Sequence, residues 1–187
     1  MEKIIEQIKD IFLSPGTFWD EVKAEQISEG EIIKKYFVFI TAVPTVAGFF
    51  GTLFIGDNFF RALIWAVLFF GCAIGGVYLL TKIIMFLAQG FNAKKDELAI
   101  FKLVAFSFTP MLLAGIFFIV PPIYWLSIVG IYGFYFFWIG FQKIVECPEE
   151  EEFNFAFISL IIFIITIMLV YSLPALISGT SVYYQII

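Results

Sequence analysis

Apolar positions in this chain gather into long unbroken runs. Five of these runs, at residues 36–55, 62–81, 98–120, 123–145 and 153–177, reach the length that a helix needs to cross a bilayer, roughly 20 residues. None shows the period-2 alternation of a strand, and a lone strand in lipid would leave its backbone groups unpaired, so each run is expected to be a helix. Pro121 and Pro122 are all that separates the third run from the fourth, which demands a tight reversal there. The pattern predicts an all-α integral membrane bundle of five transmembrane helices.

The chain is more polar before the first run. Over residues 1–13, Ile4, Ile8, Ile11 and Phe12 recur at helical spacing, while Glu2, Lys3, Glu6, Lys9 and Asp10 favour water. Such an amphipathic helix either lies in the membrane interface or packs on the protein's own surface. Ser14-Pro15 ends it, and Pro15 suits the first turn of a second short helix. Ser28 and Glu31 have the spacing of a capping box leading into the first span. The expected division is a cytoplasmic N-terminal helical segment over 1–35 and a five-helix transmembrane domain over 36–187. Residues 1–35 carry charges throughout and offer no signal-peptide core, so insertion is expected to rely on the internal spans.

Composition agrees with the pattern. Hydrophobic residues make up 61% of the 187 and charged residues only 14%, with mean hydropathy +0.99. A soluble domain of this size has no core large enough to hide that much apolar surface. The 26 Phe suit lipid-facing helices and interface belts.

Charge placement gives an orientation. Five crossings put Lys3, Lys9, Lys23, Lys34, Lys35, Lys82, Lys94, Lys95, Lys102 and Lys143 on one face and leave only Arg61 on the other. Under the positive-inside rule the N-terminus is then cytoplasmic and the C-terminus outside. Dropping a middle span would scatter the lysines over both faces, which supports the count of five. Fifteen of the 16 acidic residues fall on the lysine face, giving it a net charge of −5, and Asp57 alone falls opposite. That balance speaks against a polybasic lipid anchor and favours a cytoplasmic partner with a basic surface. The lipid bilayer is the other expected partner, and no nucleic-acid signature is present.

Chemistry-bearing residues are few. The chain has no His, so the commonest metal ligand and general base is missing. Cys72 and Cys147 do not suggest a disulfide framework. No catalytic, cofactor or metal motif stands out, and the expectation is a protein that is not an enzyme. Pro44, Pro110 and Pro174 interrupt spans. Ser107 and Thr109 flank Pro110 and make it the candidate intramembrane kink site, either a packing bend or the lining of a path. Gly71 and Gly75 form a GxxxG, which more often seats helices within one chain but also serves homo-oligomers. Gly130, Gly133 and Gly140 mark the fourth span, and residues 89–92, Gln-Gly-Phe-Asn, read as a turn. The acidic run 149–152 reads most simply as the N-terminal turn of the fifth helix, where the dipole favours negative charge.

Three stretches resemble the Yip family of five-span, Ypt/Rab-interacting membrane proteins. They are Ser14-Pro15-Gly16-Thr17-Phe18-Trp19 before the first span, Phe106-Ser107-Phe108-Thr109-Pro110 in the third, and Ile131-Tyr132-Gly133-Phe134-Tyr135 with Gly140 in the fourth. The short N-terminal region, without the Asp-Leu-Tyr-Gly-Pro string of eukaryotic members, is similar to the prokaryotic type and places the chain in a prokaryotic cell membrane. The resemblance implies a non-enzymatic scaffold or adaptor linked to membrane organisation or trafficking. Pro15, Phe18 and Trp19 are its candidate contacts, as an exposed aromatic pair beside a rigid proline, the other reading being burial of the pair against the bundle. The alternative is a small-molecule or ion transporter or channel built from an oligomer.

Overall fold

The computed structural model describes residues 2–180, and all regular structure among them is helical. Two short helices, α1 (Glu2–Leu13) and α2 (Pro15–Ala24), precede five spans: Glu29–Phe54, Phe59–Ala88, Glu97–Ile119, Pro122–Ile144 and Glu149–Ser178. The five expected crossings are present, and the chain is an integral membrane bundle. The first, second and fifth helices run past their apolar runs into polar sequence. Ser28 caps the first, with Glu31 N–H donating to Ser28 Oγ at 3.3 Å and Glu31 Oε2 accepting from Ser28 N–H at 3.4 Å. This helix continues through positions 35 and 36 without a break, by way of a π turn at Ile33–Phe37 that faces both Tyr36 and Phe37 inward.

The third span is the axis of the bundle. Its apolar window is 83% buried, against 28–44% for the other four. In lipid a helix interior gains little from hydrophobicity alone, so close packing must hold the spans together. Glycines supply that closeness. A Cβ on Gly51 would stand 1.9 Å from the Phe118 carbonyl oxygen, and one on Gly115 would stand 2.5 Å from Pro44 Cβ. Gly130 and Gly133 let the fourth span approach Met111, Ala114 and the Ser107 carbonyl oxygen. Phenylalanines fill the remaining space. Phe163 stacks on Phe137 at 4.8 Å and tilts against Phe108 at 5.3 Å, so much of the Phe complement is core rather than lipid-facing.

The prolines behave differently from one another. Pro44 and Pro174 stay inside continuous helices. At Pro110 the helix breaks, Glu97–Ser107 ending and Thr109–Ala114 restarting with the proline in its first turn. The third span then tightens into a 3-10 segment, and the fourth opens with another, Pro121–Ile131. The turn expected at 89–92 is present, with Asn92 in the left-handed region at φ 51°.

One packing expectation fails. Gly71 and Gly75 face outward, with nothing near a Cβ at either position, and it is the neighbouring Gly76 that meets Val170 and Thr166 of the fifth span. The GxxxG therefore does not seat helices within the chain. A one-residue shift on a helix turns the contact by about 100°, which spacing alone does not resolve. Gly51→Ala should lower stability in detergent by about 1–3 kcal/mol, as overpacked interiors do. Gly71→Ala and Gly75→Ala should be neutral or stabilising by up to about 1 kcal/mol, the intrinsic helix preference for Ala. Thermal unfolding of the three variants checks this, and equal losses would contradict the placement.

Candidate functional site

The chain's polar chemistry gathers at the end of the bundle that carries the lysines, where α1 and α2 join the spans. The helices form an antiparallel hairpin whose base is tied by Lys3 to Glu25 at 2.7 Å. Phe18 and Trp19 face the bundle from α2 and are buried. Trp19 Nε1–H donates to the Phe136 carbonyl oxygen at 3.2 Å, and its ring lies where a side chain at position 140 would otherwise stand. Phe18 meets Phe106 edge-on at 5.2 Å. Of the two readings of this aromatic pair, exposed contact or burial against the bundle, the structure has burial. Gly140 leaves the slot that takes the indole, and nothing near Trp19 in sequence reveals that slot. Pro15, half-buried, starts α2 as expected.

Lys102 is the residue whose role was least visible in sequence. It lies on the third span and is only 5% exposed. Its ammonium donates to the Val22 carbonyl oxygen at 2.9 Å and to that of Glu25, so it closes the C-terminal end of α2. Position 102 reads as an ordinary snorkelling lysine. Here the stem reaches toward the membrane surface and ends on a helix terminus whose dipole favours a cation.

Around this junction opens a cleft of about 670 Å³ whose polar walls include Lys23, Glu25, Ser28, Glu31, Asp96 and Glu146. Further ion pairs ring this end. Lys143 meets Asp20 at 2.8 Å, Lys94 meets Glu146 at 3.1 Å, and Lys82 bonds Glu97. All are largely exposed, so each contributes little to stability and mainly sets the charge pattern. Cys147 lies beside the cleft, its thiol directed at the Phe91 carbonyl oxygen at 3.6 Å. Burial first, then Glu152 and Glu151, push this thiol above its ordinary pKa.

The kink site is sealed inside. Ser107, Thr109 and Pro110 are all buried, and Tyr36 Oη shares a hydrogen bond with Thr109 Oγ1 at 2.8 Å. Just beyond, Tyr171 Oη donates to the Met111 carbonyl oxygen at 2.9 Å. The Ser107 hydroxyl is buried without a hydrogen-bond partner among the described residues. The structure thus brings the three kink residues together with Tyr36 and keeps them apart from Pro15, Phe18 and Trp19, which belong to the hairpin seat.

Five apolar helices, four of them packed around a buried central one, define a multi-pass membrane protein. The family model described as Yip1 domain matches residues 9–178, and the chain belongs to that family. Relatives include the inner membrane protein YohC of Escherichia coli K12 and its counterpart in a second Escherichia coli strain. Each is 24% identical over 169 residues, covering 81% of this chain and 87% of the relative. No solved structure matches the chain.

Replacing Lys102 by Met keeps its bulk but strips two carbonyls of their donor, which should destabilise the hairpin seat by about 1–3 kcal/mol. Faster trypsin cleavage after Lys23 reports that release, and unchanged cleavage would contradict it. A raised pKa leaves less thiolate at neutral pH, so Cys147 should alkylate more slowly than a free thiol at pH 7.5. Its rate should keep climbing above the pH where a free thiol levels off. Maleimide kinetics on a Cys72→Ala background measure both.

Proposed function

We propose that the chain is a non-enzymatic membrane scaffold that holds a protein of basic surface against its lysine-bearing end, and that this end is cytoplasmic. The observation that carries the reading is where the charge sits. Carboxylates outnumber amines at this end, Glu25 and Glu146 line the cleft, and Glu21, Glu149 and Glu150 are exposed at the same end. A basic surface brought there meets complementary potential, which favours encounter and orientation. The ten-to-one division of basic residues supports the orientation. The name of the Escherichia coli relatives places those proteins in the inner membrane, and we assign this chain to the corresponding prokaryotic membrane.

Transport through an oligomer draws less support. The kink residues that would line a path are enclosed by Tyr36, Met111 and Gly133 rather than facing a channel. The outward Gly71 and Gly75 leave self-association as part of the proposal, since small residues on a lipid-facing helix permit close approach of a second copy.

A photo-crosslinking residue placed at Glu21 and, separately, at Glu146 should capture the same protein in cells. Reversing Glu25 and Glu149 to Lys should abolish that capture while the chain still reaches the membrane. Capture that survives charge reversal, or substrate-specific flux in proteoliposomes, would defeat the scaffold reading. Compartment reporters fused at the two chain ends should report opposite sides, and the same side for both would overturn the orientation.

A further inference from the structure

The α1–α2 hairpin does not lie across the end of the bundle. Its contacts descend the fourth span as the chain is followed backward from α2 into α1. Lys23 Nζ donates to the Lys143 carbonyl oxygen, Trp19 Nε1–H to that of Phe136, and the Ile11 carbonyl oxygen accepts from Tyr132 Oη at 2.9 Å. Tyr132 stands eleven residues before Lys143 on a continuous helix, about 16 Å along its axis. The hairpin therefore stands parallel to the spans, with Lys3 and Glu25 at its base and its turn pointing inward.

The depth of that turn follows from the fourth span. Between the far end of this span and Tyr132 lies the 3-10 segment Pro121–Ile131, only about 22 Å long at 2.0 Å per residue. A hydrocarbon core is about 30 Å thick. Acyl chains must then continue past Tyr132 toward Lys143, and they reach the level of the hairpin tip. The side chains at the tip match that solvent. Phe12 stacks on Tyr132 at 5.3 Å and is 43% exposed, while Leu13 is 72% exposed. They continue the outward apolar surface formed by Ile128, Ile131 (55% exposed) and Tyr135 (56% exposed) of the same span.

We propose that α1 and α2 form a re-entrant hairpin whose Phe12–Leu13 tip is inserted among the acyl chains of the leaflet on the lysine-bearing side. The occupant of this apolar surface is lipid, because the surface is continuous with one that already faces lipid. The hairpin's charges are accommodated by its geometry. Lys9 is exposed and carries a stem long enough to raise its ammonium toward the headgroups. Asp10 lines a notch of about 380 Å³ that runs between the arms to Lys3 and Glu25 at the base, a route for water.

This inference is independent of the docking reading, since it concerns the tip of the hairpin and not the cleft at its base. The test places single spin labels in liposomes on a Cys72→Ser, Cys147→Ser background. Labels at Leu13→Cys and Ser14→Cys probe the tip, Lys3→Cys the base, and Ile131→Cys the lipid-facing span. Both tip labels should match Ile131→Cys, with collisions favouring dissolved oxygen and a loss of collisions with a water-soluble nickel complex relative to Lys3→Cys. Nickel collisions at either tip site equal to those at Lys3→Cys would overturn the proposal. All four positions are exposed or lie in the turn, so labelling leaves the Phe18–Trp19 seat intact.

Discussion

Enclosure of the third span governs this structure. A central helix surrounded by neighbours has little lipid contact of its own, here chiefly at Ile116 and Ile119, so van der Waals packing must do the work that hydrophobic collapse does in water. That packing requires backbones to meet more closely than side chains normally allow. Gly51 against the Phe118 carbonyl oxygen, Gly115 against Pro44, and Gly130 and Gly133 against the 107–114 stretch are the places where they do. The break at Phe108 belongs to the same arrangement. It lets the third span change from α-helix to 3-10 winding while Tyr36 and Tyr171 supply hydroxyls to the helix on either side of Pro110.

The N-terminal hairpin extends that arrangement instead of hanging from it. Trp19 occupies the slot left by Gly140, Phe18 packs on Phe106 of the central span, and Lys102 of that span holds the end of α2. Through the last two contacts the buried axis, and through the first the fourth span, is tied to the end of the molecule that carries nearly all the charge. A change in the hairpin's seating would reach the third span directly, along packed aromatic rings and a single ammonium.

Much of the fold was legible from residue order. The five crossings, the Ser28–Glu31 cap, the Pro15 helix start and the turn at 89–92 each depend on neighbours within a few positions, and such local rules carry over to the folded chain. The candidate site was legible only as a set of residue types. The spacing of Gly71 and Gly75 marks a face that permits close contact, but which face of the helix meets the bundle depends on where the fifth span lies. Phe18 and Trp19 read as an anchor because their cover, Phe106, Phe136 and Gly140, is remote in sequence. Lys102 carried no sign that its partners would be carbonyls about eighty positions away.

Sequence alone therefore determined that this chain crosses the membrane five times and segregates its charge to one end, because hydrophobic length and lysine placement act on each segment separately. Tertiary structure decided which helix lies at the centre, which glycines carry contact, where the aromatic pair is buried, and that the amphipathic N-terminus stands beside the fourth span instead of lying across it. Those outcomes depend on surfaces assembled from distant segments, where a single absent side chain, as at position 140, determines what another residue can reach.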